Sequence, residues 1–372
     1  MREPVDGRRQ RILDAVRERG AVKVAALAAE LGVSVVTVRR DIEELARAGA
    51  LRRGHGVARS LTHLPGAAEA APGDAATVAL LVPDQHAYLM GFVPGVRAVL
   101  EARGVRPVLH LTPQQGGDLR ATVERALAEG ARGLILAPRW RNVAEEEREA
   151  EWIAGLRAPT VLLERRPAPG SALHAVDSVC SDHAYGVHLA VDHLVRHGHR
   201  RIVLAARDDS PTARSVRRAF RRLAEEGGAL EDWAVVLSAP DAGGEEPDQA
   251  AAGPGDLVDL VATLRSRRAT ALVVHNDITA LAVVRRLEER GVRVPGDCSV
   301  VAYDDVVAAL GTTPLTAIAP PKTAVGRAAA QLLLQRLDFV AGDPAAAPSL
   351  PPTRQELLPS LVVRGSTAAL AD

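Results

Sequence analysis

Residues 8–20 (RRQRILDAVRERG) place Ile12, Leu13 and Val16 on one stripe of a helix, and residues 24–32 (VAALAAELG) place Leu27, Ala28 and Leu31 on a second. Gly32 reads as the left-handed cap that ends the second helix. Ser34 reads as the N-cap of a third helix over 33–45 (VSVVTVRRDIEEL), whose Val38, Ile42 and Leu45 face inward. This pattern predicts a helix-turn-helix. The outward face of the third helix carries Thr37, Arg39 and Arg40, residue types that reach base edges and phosphates when a helix N-terminus enters the major groove of DNA. Residues 48–59 (AGALRRGHGVAR) read as a turn and short hairpin with Arg52, Arg53 and His55 near the tip, placed to grip the DNA backbone as a wing.

Residues 59–76 lack periodicity and are rich in Ala, Pro and Gly, the composition of a tether. From Thr77 onward, short apolar runs alternate with amphipathic helical stretches: TVALLVPD (77–84), FVPGVRAVLEARG (92–104), RPVLHLT (106–112), LRATVERALAEG (119–130) and RGLILAP (132–138). The alternation resumes at APTVLLERR (158–166) and continues to CSVVAYDD (298–305). Apolar strands joined by amphipathic helices predict parallel sheets covered on both faces, and about ten such units suit two lobes. Ligands of such sheets bind beyond the carboxyl ends of the strands, which directs attention to the polar residues there: Asp84, Glu164, Asn276, Asp277, Asp304 and Asp305. Clustered carboxylate and amide oxygens accept hydrogen bonds from sugar hydroxyls; helix N-capping is the competing role. For Asp182, Asp277 and Asp305 the two roles stand level, whereas Asn276 and Asp304 favour ligand contact.

Charge changes the picture only when the chain is divided. The 46 basic and 46 acidic side chains cancel overall, but residues 1–60 hold 12 Arg and one Lys against 8 acids, a net of +5 where DNA would lie, leaving −5 for the remainder. Arg outnumbers Lys 44 to 2, a coding bias that makes Arg frequency a poor guide to function. Cys180 and Cys298 give neither a disulfide framework nor metal-ligand spacing and read as core thiols. No apolar run spans a bilayer and the N-terminus is polar, so the expectation is a cytoplasmic protein that does not engage a membrane.

Enzymatic readings find little support. The His pair of HGHR (197–200) sits at a helix-to-strand turn without a third ligand, and GHG (54–56) lacks the strand and helix of a dinucleotide fingerprint. Neither a phosphate-cradling G-x-x-x-x-G-K-[ST] nor a G-x-S-x-G elbow occurs. No catalytic residue, metal or cofactor is expected.

Two resemblances sharpen these readings. Ser34, Thr37, Arg39, Arg40 and Asp41 match the VS–xTxRRD core of the DeoR-type winged helix, and RGHGV (53–57) matches its R-x-H-G-G ending with Val57 in place of the second Gly. This likeness covers about the first sixty residues and implies DNA contacts from Ser34, Thr37, Arg39, Arg40, Arg52, Arg53 and His55. The block HNDITALAVVRRLEERGVRVPGDCSVVAYDD (275–305) resembles the effector-binding domain of LacI-type regulators, whose pattern runs A-N-D-x-x-A-x-G and then G-x-x-V-P-x-D-I-S-V-V-G-[FY]-D-D. DHLVRHGHRRIVLA (192–205), TPLTAI (313–318) and LPSLVVRGST (358–367) extend that likeness over most of 77–367.

Together the resemblances imply an α/β chain. A winged helix-turn-helix over 1–58 and a linker over 59–76 precede a periplasmic-binding-protein type I sensor over 77–372, built from two Rossmann-like, doubly wound parallel sheets. Its N-lobe would take about 77–180 and 305–330, and its C-lobe about 181–304 and 331–350. Asn276 and Asp304 would hold the sugar, with Glu164 where the family usually has an Asp. The sequence departs from the pattern at the family's sugar-fixing Arg, where Val216 stands and Arg214 is the nearby substitute. It departs also in the loop DQHAYLMG (84–91), leaving Gln85, His86 and Tyr88 as candidates to line the pocket, beside Asp84 at the strand end. Lys322 occupies a place usually apolar, which suggests either a cation favouring an acidic effector or a snorkelling surface side chain. The implied function is a repressor of carbohydrate-use genes, a homodimer or homotetramer binding a double-stranded operator under control of a sugar-like effector. The alternatives are a DeoR-type sensor of a phosphorylated or acidic sugar, or an activator.

Overall fold

The computed structural model describes residues 8–9, 11–13, 15–16, 21–47, 51–54, 57–59, 76–84, 86–112, 118–238, 255–341 and 350–370, which divide into two units at Asp74 and Ala75.

In the first unit the apolar stripes read from the sequence converge. Ile12, Val16, Leu27, Ala28, Val38, Ile42 and Leu45 form one buried cluster with Val22, Val24 and Leu51. Strand β1 (Ala21–Lys23) precedes the helix Val24–Leu31, which Gly32 ends at φ 64°, its N–H turned back to the last helical carbonyls. The helix Val35–Arg47 follows; Ser34 Oγ accepts a hydrogen bond from the Thr37 N–H at 3.1 Å. Strands β2 (Arg52–Gly54) and β3 (Val57–Arg59) form an antiparallel hairpin, and β1 pairs with β3, so the wing is a three-stranded sheet in order β1-β3-β2. His55 lies outside the described residues. Asp41 is buried and receives Arg8 Nε at 2.7 Å and Arg9 Nε at 3.2 Å, tying the first helix to the third.

The second unit contains two six-stranded sheets. Strands β4 (Thr77–Pro83), β5 (Arg106–Thr112), β6 (Ala131–Leu136), β7 (Thr160–Leu163), β8 (Asp177–Ser181) and β14 (Arg354–Leu357) form the first, in the order β14-β8-β7-β6-β4-β5, parallel throughout. The second contains β9 (Arg201–Ala205), β10 (Asp232–Val236), β11 (Ala271–Val274), β12 (Ser299–Tyr303), β13 (Thr316–Ala319) and β15 (Ser360–Val362), in the order β10-β9-β11-β12-β13-β15, antiparallel only at β15. Helices on both faces bury the strands, as continuous apolar runs such as Val78–Val82 and Val300–Tyr303 require. Among the described residues no helix is long and apolar enough to cross a membrane.

The lobe boundaries drawn from the sequence need correction. Residues 316–319, expected in the N-lobe, form β13 against β12 of the second sheet. The helix Lys322–Ala341, expected to divide between lobes, lies on the first sheet along its length, with Leu333 against Gly133 and Arg336 paired to Asp177. Apolar patterning identifies a strand or helix but not which of two similar sheets it joins. Among the described residues the chain passes between lobes three times: at Asp182, at Pro320 and Pro321, and at Leu358 and Pro359.

The helix Val93–Ala102 packs closely on Lys322–Ala341. A Cβ added at Gly95 would overlap the Thr323 carbonyl oxygen, and one at Gly326 would overlap that of Phe92. Gly95→Ala therefore should lower stability by about 1–3 kcal/mol through forced backbone separation, read as a reduced denaturation midpoint.

Candidate functional site

Two surfaces carry the chemistry the sequence singled out. On the recognition helix Val35–Arg47, Ser34, Arg39 and Arg40 are exposed and Thr37 is half-buried, its hydroxyl 2.8 Å from that of Ser34. Val36 lies on the same open face and is 74% exposed, so an apolar side chain sits among the polar ones. Arg52 and Arg53 fall on strand β2.

In the second unit, the carboxyl ends of the strands of both lobes border a cavity of about 250 Å³. His86, Tyr88, Asn276, Asp277 and Asp304, five of the residues singled out from the sequence, line it. Glu164 lies beneath. It ends β7 at φ 54° and is buried, with Oε1 accepting from the Tyr88 hydroxyl at 2.5 Å and Oε2 from the Ser181 N–H at 2.9 Å and hydroxyl at 3.2 Å. His183 Nε2 lies 3.2 Å from Oε1, and its Nδ1 lies 3.2 Å from the Tyr303 hydroxyl. Burial pushes the Glu164 carboxyl up, but its contacts with His183, Tyr88 and Ser181 outweigh burial and hold it below the usual carboxylate range. Glu164 thus fastens the cleft floor across the crossing at Asp182 instead of facing the cavity.

Other expected contacts have local partners. Asn276 Oδ1 caps the helix Asp277–Glu289, accepting from Thr279 N at 2.7 Å, so the capping role is realised although the residue also borders the cavity. Asp277 accepts from the N–H groups of Val306, Val307 and Ala308 and shapes the loop after β12. Asp182 caps the helix His183–Arg196, and Asp305 pairs with Arg364 at 2.8 Å. Arg214 leaves the cavity wall for the Trp140 and Arg141 carbonyls, at 2.8 and 3.0 Å, and for Glu146, linking the lobes at the rim. Lys322 Nζ donates to the Asp304 carbonyl oxygen and lies 5.7 Å from the Tyr88 ring centroid, so a main-chain acceptor and an aromatic face occupy it. Asp84 lies at the end of β4, away from the cavity wall; Gln85 is outside the described residues.

Sequence reasoning missed Arg139, Arg165, Arg207 and His275, all of which line the cavity. Arg165 is 3% exposed, and burial lowers its guanidinium to about 10. Arg207 is paired with Asp209 through two nitrogens. His275 is 6% exposed, and neither ring nitrogen has a partner among the described residues; burial, then Arg207 nearby, lowers it to about 3 and keeps it neutral. Asp304 Oδ1 is likewise unpartnered, at a residue 7% exposed and at φ 87°. Burial, then Asp277 nearby, raises the Asp304 carboxyl well above its usual range, with Lys322 opposing.

A raised folded pKa means that the folded state holds a proton the unfolded chain has released, so the contribution of Asp304 to stability falls as pH rises from about 4 through that folded value. Asp304→Asn should therefore raise the stability of the unliganded protein at pH 7 by about 1–2 kcal/mol and flatten this pH dependence, measured by denaturation at pH 5 and 8.

Among the described residues, Glu164, Cys180 and His183 place one ligand atom each within 4.8 Å of one another. Their hydrogen bonds account for the grouping: Cys180 Sγ donates to the Ser181 carbonyl oxygen, burial pushes its thiol up, and Glu164 is engaged as above.

Residues 8–63 match the DeoR-like helix-turn-helix domain and residues 191–367 the periplasmic binding protein-like domain. An uncharacterized HTH-type transcriptional regulator in the aml 5' region of Streptomyces limosus is 31% identical over 303 residues, 79% of each chain. The chain belongs to the LacI-type transcriptional regulators. Its N-terminal DNA-binding domain is of the DeoR type. This regulator is also 32% identical over 164 residues to the HTH-type transcriptional repressor PurR of Aliivibrio fischeri, a match covering 43% of the chain and about half (46%) of that relative. A transcriptional regulator CelR–cellobiose complex shares the fold of the LacI-type regulator, with a TM-score of 0.63 and 24% identity, over 92% of this chain and 98% of that one. These proteins are transcriptional regulators, not enzymes.

Proposed function

We propose that this regulator is a cytoplasmic repressor, binding a two-fold operator as a homodimer or a dimer of dimers, whose hold on DNA is set by a small polyhydroxylated effector in the interlobe cavity. The observation that carries the reading is the set of buried polar atoms without partners, His275 Nδ1 and Nε2 and Asp304 Oδ1, beside a 250 Å³ space between two lobes. Buried polar groups without partners are costly, and a ligand rich in hydroxyls would satisfy them. The cellobiose held by the CelR relative supports the sugar class.

Ser34, Thr37, Arg39 and Arg40 would enter the major groove and the wing residues Arg52, Arg53 and His55 would touch the backbone. Tyr88, Asn276 and Asp304 would meet the effector, with Glu164 setting the tilt of Tyr88. Effector contact with both lobes favours their closed arrangement, and that bias is coupled to operator affinity. Footprinting the chain on its own upstream DNA, with and without a panel of sugars, tests this. Protection of a palindromic site that one sugar weakens is expected. No protected site, or protection that no sugar changes, would remove the reading.

A further inference from the structure

We propose that Val36 reads base sequence for this regulator, its side chain packing on the C5-methyl group of a thymine in the major groove of each operator half-site. This rests on the helix Val35–Arg47 entering that groove at its N-terminus, as proposed above. Exposure is the first observation. Among the side chains described in the first unit, Val35 and Val36 are the exposed large apolar ones, at 38% and 74%; Leu13, Leu31 and Val33 are half-buried and the others buried. The fold has no use for Val36 there. A β-branched side chain loses rotamer freedom in a helix, and an apolar group left in water contributes no burial.

Placement is the second observation. Val36 is the second residue of the helix, and the exposed Arg39 and Arg40 follow it by one turn on the same face. Val38 and Ile42 hold that turn from behind, in the buried cluster. The flanking hydroxyls of Ser34 and Thr37 lie 2.8 Å apart, and Ser34 Oγ also accepts the Thr37 N–H at 3.1 Å. The helix tip therefore presents an apolar side chain on an anchored turn, with two cations behind it.

Groove chemistry supplies the third. Of the groups by which base pairs differ in the major groove, the thymine methyl is the apolar one, and the rest donate or accept hydrogen bonds. Val36 can do neither. Against a guanine, adenine or cytosine edge it would displace water from polar groups and return no bond; against the methyl it removes two apolar surfaces from water. Val36 thus selects an A·T pair both by what it gains there and by what it excludes elsewhere. Arg39 and Arg40 reach the neighbouring base edges or phosphates.

Fluorescence anisotropy of the full chain on the footprinted fragment tests this, with each thymine replaced in turn by deoxyuridine, which lacks only the methyl. At one position, substituted in both half-sites, binding of wild type should weaken about fourfold per half-site, the effect of burying one methyl. Val36→Ala should bind the thymine fragment weaker by about that factor and no longer distinguish thymine from uracil at that position. It should keep the wild-type salt slope, since no phosphate contact is removed. Its melting temperature should equal or exceed that of wild type, because Ala favours the helix and little burial is lost; a lower one would mark a structural valine and count against the proposal. Replacing the same pair by C·G, with and without a 5-methyl group on the cytosine, isolates the methyl from the rest of the A·T pair. The methylated form should bind wild type more tightly, and the two forms should bind Val36→Ala alike. Methyl dependence that survives in Val36→Ala, or a protected site in which no thymine methyl matters, would overturn the proposal and leave the operator reading standing. If the chain protected no fragment at all, both would fall.

Discussion

Glu164→Ala should destabilise the second unit by about 3–5 kcal/mol, the largest stability effect expected of any single change in the cleft. The substitution strips acceptors from the Tyr88 hydroxyl and from the Ser181 N–H and hydroxyl at once, in a place water reaches poorly. Glu164→Gln keeps the volume and one acceptor, and should lose less. The sign with pH runs opposite to that for Asp304: a carboxyl held below its ordinary value contributes fully above that ordinary value and loses its contribution as acid protonates it in the folded state. The difference in stability between wild type and Glu164→Gln should thus shrink below about pH 4. Urea denaturation across pH measures it, and a constant difference would mean that volume, not charge, sets the effect.

Joint replacement of Arg39 and Arg40 by alanine should weaken operator binding about 100-fold at moderate salt, at little expense in folding. Both side chains are exposed, whereas the helix that carries them is anchored by Val38, Ile42 and the buried Asp41. If either arginine meets a phosphate, the slope of log affinity on log salt should fall by about one for each phosphate no longer neutralised; an arginine that meets a base should instead leave the slope alone and relax sequence preference when removed. Fluorescence anisotropy on the footprinted fragment separates these. Unchanged affinity would move DNA to a different face of the unit.

Much of this architecture could be read from apolar spacing. The stripes Leu27/Ala28 and Val38/Ile42/Leu45 became the core of the first unit, and runs such as TVALLVP became buried parallel strands. The cleft was harder. Asn276 and Asp277 sit after a strand, where ligand contact and helix capping select the same side chains, and distance alone separates them: 2.7 Å to Thr279 N in one case, three loop N–H groups in the other. Arg139, Arg165 and Arg207 were hidden by the abundance of arginine, since 44 of them dilute any signal that three could give. Lys322 drew attention because lysine is rare here, yet the fold turns it to a carbonyl and a tyrosine. His275 differed from the family's Ala in the quoted motif, and that mismatch was the one signal available.

The three crossings between lobes among the described residues are each one or two residues long, and two of them contain proline, which fixes its own backbone torsion. Three tethers this short leave the two halves little freedom to slide, so that turning about the tethers is the motion that remains. Every compound able to bridge both walls then drives the same swing through the same arc. Chemically different effectors would accordingly change how often the jaws are shut, and scarcely how far they travel.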